Sequence, residues 1–186
     1  MRKPNIHGGG SKTNLNGLSF EGRTDFIESL KNNKDFKVVK SGFLSEWTEV
    51  KSEIIYKGQN FGFYTEKHDF YNFLESESVD WRKLVSKKYL PDGAFMNTVN
   101  NKIYIIEKKF QSSGGSVDEK LQTCDFKKKI YEKLTAELNE FNSVEYYYLL
   151  NSWFKQKQYD DVKKYIDSVG CKYFIEQIDL KDLGIV

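Results

Sequence analysis

The sequence predicts an α/β (α+β) domain with elements in the order helix, hairpin, helix, strand, helix, strand. Three observations carry this expectation. From Tyr89 to Gln111 the chain reads YLPDGAFMNTVNNKIYIIEKKFQ, two strand-like runs about Asn100-Asn101, a pair that tolerates positive φ and suits a hairpin turn. Apolar residues recur at helical spacing on both sides of it, as Phe70, Phe73 and Leu74 and again as Phe126, Ile130, Leu134 and Leu138. Further on, VEYYYLL at 144–150 has the length and composition of a core strand.

At 186 residues the chain suits a single domain, 1–186, with room for a real core. Twelve Tyr and fourteen Phe against two Pro argue against extended disorder. A formal charge of +2 neither establishes nor excludes a nucleic-acid partner, because a balanced total still permits one basic face. Cys124 and Cys171 lack metal-type spacing and read as reduced core thiols of an intracellular protein. No apolar run reaches membrane-spanning length, and Met1-Arg2-Lys3 is not followed by an apolar signal region, so a cytoplasmic location is expected.

Residues 1–14 form a polar, glycine-rich arm, expected to be flexible, from which Lys3 and Lys12 are able to reach DNA. GGGSKT at 8–13 fails as a phosphate loop, which needs Gly directly before Lys and a buried strand leading in. A first helix is expected from Leu18 to about Asn33, with Phe26, Ile27 and Leu30 on its apolar side and Asn32-Asn33 closing it. Glu21 falls in its first turn, where the helix dipole favours a carboxylate. FKVVK, EIIYK and FGFYT within 36–65 read as short strands of a peripheral sheet. A second helix is expected over Lys67 to Glu77; Glu75 and Glu77 are solvated surface acids or one of them an accessory acid. His7 and His68 are isolated and read as ordinary.

Within the hairpin, Ile103-Tyr104-Ile105-Ile106 has strand composition, and Glu107 and Lys109 follow at its polar end. Side chains alternate along a strand, so these two share a face, roughly 6 to 7 Å apart, while Lys108 points the other way. Asp92 opens the first strand, and two carboxylates and an ammonium at the polar end of an apolar hairpin are costly to bury unless they serve a metal or each other. After the break Ser112-Ser113-Gly114-Gly115, Ser116 with Glu119 matches a capping box for a helix whose Phe126, Ile130, Leu134 and Leu138 should pack on the sheet. Lys127, Lys128 and Lys129 interrupt that helix as a solvated face or a phosphate-contacting one. Asn151–Tyr159 reads as a polar and aromatic loop, Tyr159 to Val169 as a helix ended by Gly170, and Cys171 to Ile178 as the last strand.

Pro91-Asp92 followed by Glu107-Lys108-Lys109 resembles the PD-(D/E)xK nuclease superfamily, best known from type II restriction endonucleases. NLNGLSFE at 14–21 is similar to the opening of several small restriction enzymes. The resemblance implies a restriction-endonuclease-like core, a mixed β-sheet flanked by helices in the order αβββαβ with peripheral strands. It implies Asp92 and Glu107 as ligands of Mg²⁺, which prefers oxygen donors and needs only one or two carboxylates beside water and phosphate. Lys109 is then the ammonium that orients water and stabilises developing charge. Glu21 becomes the extra acid on the helix preceding the hairpin. Gln111, on the face of Lys109, is a candidate for positioning water or phosphate.

The function so implied is that of a type II restriction endonuclease. It hydrolyses phosphodiester bonds in double-stranded DNA at a specific sequence, as a homodimer matched to a palindromic site and with a cognate DNA methyltransferase as functional partner. Candidate DNA contacts are Lys127 and Lys128 on the helix and Asn151, Lys155, Gln156, Lys157 and Gln158 in the loop, with Gln122 and Thr123 as lesser ones. The alternatives are a structure-selective nuclease of the same superfamily, junction-resolving or phage repair, and a non-catalytic DNA-binding or interaction domain.

Overall fold

The computed structural model describes residues 25–42, 49–113 and 117–185. The arm at 1–14, the expected helix start at Leu18, Glu21 and the capping Ser116 lie outside these residues. In chain order the elements are α1 (Phe26–Lys31), β1 (Phe36–Gly42), β2 (Glu49–Tyr56), β3 (Gln59–Thr65), α2 (Lys67–Ser76), α3 (Trp81–Leu84), β4 (Gly93–Asn97) and β5 (Lys102–Lys109). They continue with α4 (Val117–Leu121), α5 (Cys124–Thr135), β6 (Ser143–Leu150), α6 (Asp160–Ser168) and β7 (Lys172–Ile175), with short 3₁₀ turns at Ser152–Lys155, Lys157–Tyr159 and Leu180–Leu183.

The strands make one mixed sheet in the order β1-β2-β3-β4-β5-β6-β7. Neighbours from β1 to β5 run antiparallel, and β5–β6 and β6–β7 run parallel. The strands expected to form a peripheral sheet are therefore a continuation of the hairpin's own sheet, because β3 pairs with β4 from Gly62↔Asn97 to Thr65↔Ala94. Gly62 makes that junction possible. Its φ is +124°, and a Cβ there would overlap the Met96 carbonyl.

The expected hairpin is present, but its turn is longer than a two-residue one. Asn97 pairs with Lys102, leaving Thr98–Asn101 as the loop. The Asn97 side chain accepts from Val99 and Asn100 N–H at 2.9 and 3.2 Å, and Asn101 takes φ +57°. Ile103 and Ile105 face a core with α2, α5 and α6, while Tyr104 and Ile106 face a second core with α1 and the Leu180–Leu183 turn. Burial on both faces explains why this strand reads as a continuous apolar run.

Helix α1 is capped by the Asp25 carboxylate, which accepts from Glu28 N–H at 3.1 Å. The helix after the hairpin is broken into α4 and α5, and its buried side is Cys124, Tyr131, Leu134 and Thr135. Phe126, expected in the core, is 53% exposed. A repeat of four drifts by about 40° per step against the helical period, so Phe126 and Leu134 are about 80° apart and do not share a face, and Leu138 lies beyond the end of the helix. Cys124 and Cys171 are free buried thiols. Gly170, at φ +70°, ends α6 as expected, and β7 is shorter than the expected 171–178. No helix among the described residues is long and apolar enough to cross a membrane.

Candidate functional site

Strand β5 continues past its apolar run, and alternation puts Glu107 and Lys109 on the face of Ile103 and Ile105, under α5. Pairing of Gly93 with Ile106 brings Asp92, one residue earlier, opposite Glu107. Asp92 is fixed there because its Oδ2 accepts the Lys108 N–H at 2.8 Å, which prolongs the ladder by one step. The loop Pro91-Asp92 is held in turn by α2, whose Lys67 N–H donates to the Pro91 carbonyl at 2.9 Å.

Lys109 stands between the two acids. Its Nζ lies 2.7 Å from Glu107 Oε2 and 3.8 Å from Asp92 Oδ2. The carboxylates are no farther apart than those two distances together, with an ammonium bridging them. Lys127, from α5, reaches the other Glu107 oxygen, Oε1, at 2.9 Å. Glu107 is only 4% exposed. Burial pushes its carboxyl up, but the charges and hydrogen bonds of Lys109 and Lys127 outweigh that and hold it below the usual carboxylate range. Tyr131 and Tyr146 lie beside it, and burial first and the Glu107 charge second push both phenols up, so they stay protonated.

The donor set suits a hard cation. Among the described residues no group of three His, Cys, Asp or Glu forms a metal cage; a hard cation such as Mg²⁺ needs only one or two carboxylates from a protein, and its charge would have to replace that of Lys109. Asp92 and Glu107 are the residues able to hold it, with Lys109 displaced from between them.

The remaining expectations fare differently. Glu21 lies outside the described residues. Gln111 is buried, and its Nε2 donates to the Ser113 carbonyl at 2.9 Å, so the side chain is at least partly engaged in its own loop. Asn151 is not an exposed donor: it is 7% exposed, its Oδ1 accepts from Gln111 N–H at 3.1 Å and its Nδ2 donates to Gln111 C=O at 2.9 Å. An amide placed like this copies a peptide group and closes the end of the β5–β6 ladder. Lys128 caps α6 by donating to the Gly170 carbonyl at 2.9 Å. Lys129 pairs with Asp125, and Glu75, one of the two acids considered for an accessory role, accepts from Trp81 Nε1 and Arg82. Lys155, Gln156, Lys157 and Gln158 are exposed on the 3₁₀ turns that replace the expected loop.

Sequence reasoning placed Lys127 on a phosphate-contacting or solvated face and missed its bond to Glu107. A signal existed: Cys124, Lys127, Tyr131 and Leu134 fall at spacings of three and four, which puts one lysine within the buried stripe. Glu66 and Asp69, at the start of α2, were also passed over. They line a polar cleft of about 310 Å³ with Asp25, Lys40, Tyr64 and Thr65. Gly93 packs so tightly on Tyr64 that a Cβ would overlap its hydroxyl, which ties this cleft to the segment carrying Asp92. Burial raises both the Glu66 and Asp69 carboxyls above their ordinary range.

Comparison with protein-family models, with curated proteins and with solved structures returned no match for this chain.

Proposed function

We propose that this chain is a magnesium-dependent DNA nuclease that hydrolyses phosphodiester bonds at Asp92, Glu107, Lys109 and Lys127. One observation carries the reading: Lys109 Nζ lies within 3.8 Å of Asp92 Oδ2 and 2.7 Å of Glu107 Oε2 on one face at the end of a strand. A magnesium ion held by the two carboxylates supplies charge relief to the phosphate and lowers the pKa of a water. Asp92, half-exposed and fixed by the Lys108 N–H, is the entry-side ligand. Glu107, buried and ionised, is the inner one. Once displaced from between them, Lys109 orients the attacking water and offsets charge on the phosphate, a role for a compact ammonium that a planar guanidinium would not fill. Lys127 keeps Glu107 ionised and adds positive charge on the α5 side.

Two finer readings differ in what selects the cut. In the first, the protein is a type II restriction endonuclease, a homodimer cutting double-stranded DNA at a fixed sequence beside a cognate methyltransferase. Lys155, Gln156, Lys157 and Gln158 are then the exposed side chains available for contacts. In the second, the protein selects structure, as a junction-resolving or repair nuclease does. Phe126, 53% exposed on α5 and next in sequence to Lys127, favours the second.

Digestion of supercoiled plasmid and of branched oligonucleotides, with Mg²⁺ or EDTA, tests both. Discrete bands support restriction, and cutting confined to branched substrates supports structure selection. Asp92→Ala and Lys109→Ala should each abolish cutting, with DNA binding retained in the lysine variant. Normal cutting by both variants would sink the assignment of the site.

A further inference from the structure

We propose that Phe126 and Tyr89 form a stacking platform for an unpaired nucleobase of the strand being cut. The proposal rests on the nuclease reading and names the class of substrate that the site takes. Phe126 is 53% exposed and Leu90 37%, and the Phe126 ring meets Tyr89 edge-on at 5.8 Å between centroids and 70° between planes. Patch and site share the same two segments. The residue after Phe126 is Lys127, which ends on Glu107, and Tyr89 lies three residues before Asp92.

The Tyr89 side of the platform is anchored through its backbone. Tyr89 N–H donates to the Tyr71 hydroxyl at 2.6 Å, and its carbonyl accepts from the hydroxyls of Tyr71 at 3.1 Å and Tyr131 at 3.0 Å. Two buried tyrosines from α2 and α5 thus hold its backbone from both sides. A cation adjoins it: Lys87 Nζ lies over the Tyr89 ring, 5.2 Å from its centre, which leaves the Phe126 ring as the open face.

An aromatic face adjoined by an ammonium group fits a base with its flanking phosphate, since any base can stack and the phosphate meets the lysine. Paired bases inside a duplex already stack on each other and offer no free face. The occupant is therefore an unpaired base, at a flap, a gap, a fork or a single strand.

The test is fluorescence anisotropy in EDTA with a labelled oligothymidine, alongside gel-shift binding to a closed circular duplex. Wild type, Phe126→Ala, Phe126→Leu and Phe126→Trp are compared after thermal melts establish that each is folded. Phe126→Ala and Phe126→Leu should weaken single-strand binding by roughly 5- to 100-fold, the range of one lost base stack. Phe126→Trp should retain it, and duplex binding should not change. A single strand carrying 2-aminopurine should change fluorescence on wild type and not on Phe126→Ala. Unchanged single-strand binding in Phe126→Ala, or equal losses for both substrates, overturns the platform while leaving the nuclease reading intact. Splitting of a wild-type dimer by Phe126→Ala, seen in sedimentation, also overturns it, because a second copy is then the occupant. Binding to neither substrate by wild type removes the nuclease reading itself.

Discussion

Lys127 Nζ donates to Glu107 Oε1 at 2.9 Å while Lys109 Nζ donates to Oε2 at 2.7 Å, so one buried carboxylate is shared by ammonium groups from a strand and from the helix above it. Either lysine alone partly satisfies Glu107. Replacement of one by Ala should cost about 1 kcal/mol in urea unfolding, and of both about 3–5 kcal/mol, more than the sum of the single losses, since the last change leaves a buried charge without a partner. Additive losses would show that solvent takes over the carboxylate. In cleavage assays Lys127→Ala should be slower than wild type but faster than Lys109→Ala, which faces both carboxylates.

Gly93 follows Asp92 directly, and a Cβ there would overlap the buried Tyr64 hydroxyl and ring. Gly93→Ala should destabilise the fold by about 1–3 kcal/mol, as overpacking of a closed site does. It should also lower cleavage by more than its loss of stability explains, because the strain falls on the residue next to Asp92. Activity measured well below the melting temperature separates the two effects.

Glu66 offers a pH test that stands apart from the candidate metal ligands. Burial raises its carboxyl, with the Asp25 charge acting in the same sense; the Tyr64 hydroxyl, Lys108 and Lys67 act against it. The folded chain therefore holds this proton more tightly than the unfolded chain, whose Glu titrates at about 4.3. The favourable contribution is complete below that value and is lost as pH rises through the higher folded pKa. Glu66→Gln should be more stable than wild type at neutral pH and lose the advantage in acid. Paired urea midpoints at several pH values measure it, and a constant difference across the range would contradict it.

Asn151→Ala removes two hydrogen bonds to the Gln111 backbone at a buried position. A loss of about 2–3 kcal/mol is expected in chemical unfolding. If the residue instead served as a DNA contact, stability would hold and binding alone would fall.

Much of the fold was legible because it follows from local rules. Ile103–Ile106 announced a buried strand, and alternation alone put Glu107 and Lys109 on one side of it. Other features depended on contacts between distant segments. Nothing near FGFYT says that β3 pairs with β4, which follows from the close approach of Gly62 to the Met96 backbone. Phe126 misled because a spacing of four resembles helical periodicity over one step and departs from it by about 80° over two. Lys127 was hidden by the same misreading, since a lysine within a buried stripe makes sense only once its acid is known to lie beneath it. Asn151 looked like a free donor because sequence does not show that a strand end needs a side chain to replace a missing peptide.

Every strand in this sheet lies beside the one made before it. During synthesis the antiparallel half from β1 to β5 can therefore zip up in the order it emerges, with no segment waiting for a distant partner. The charges follow another schedule. Glu107 and Lys109 leave the ribosome together, whereas Lys127 arrives only with the crossover to β6. A nascent chain halted before α5 would thus hold an acid whose second counter-charge has not been translated.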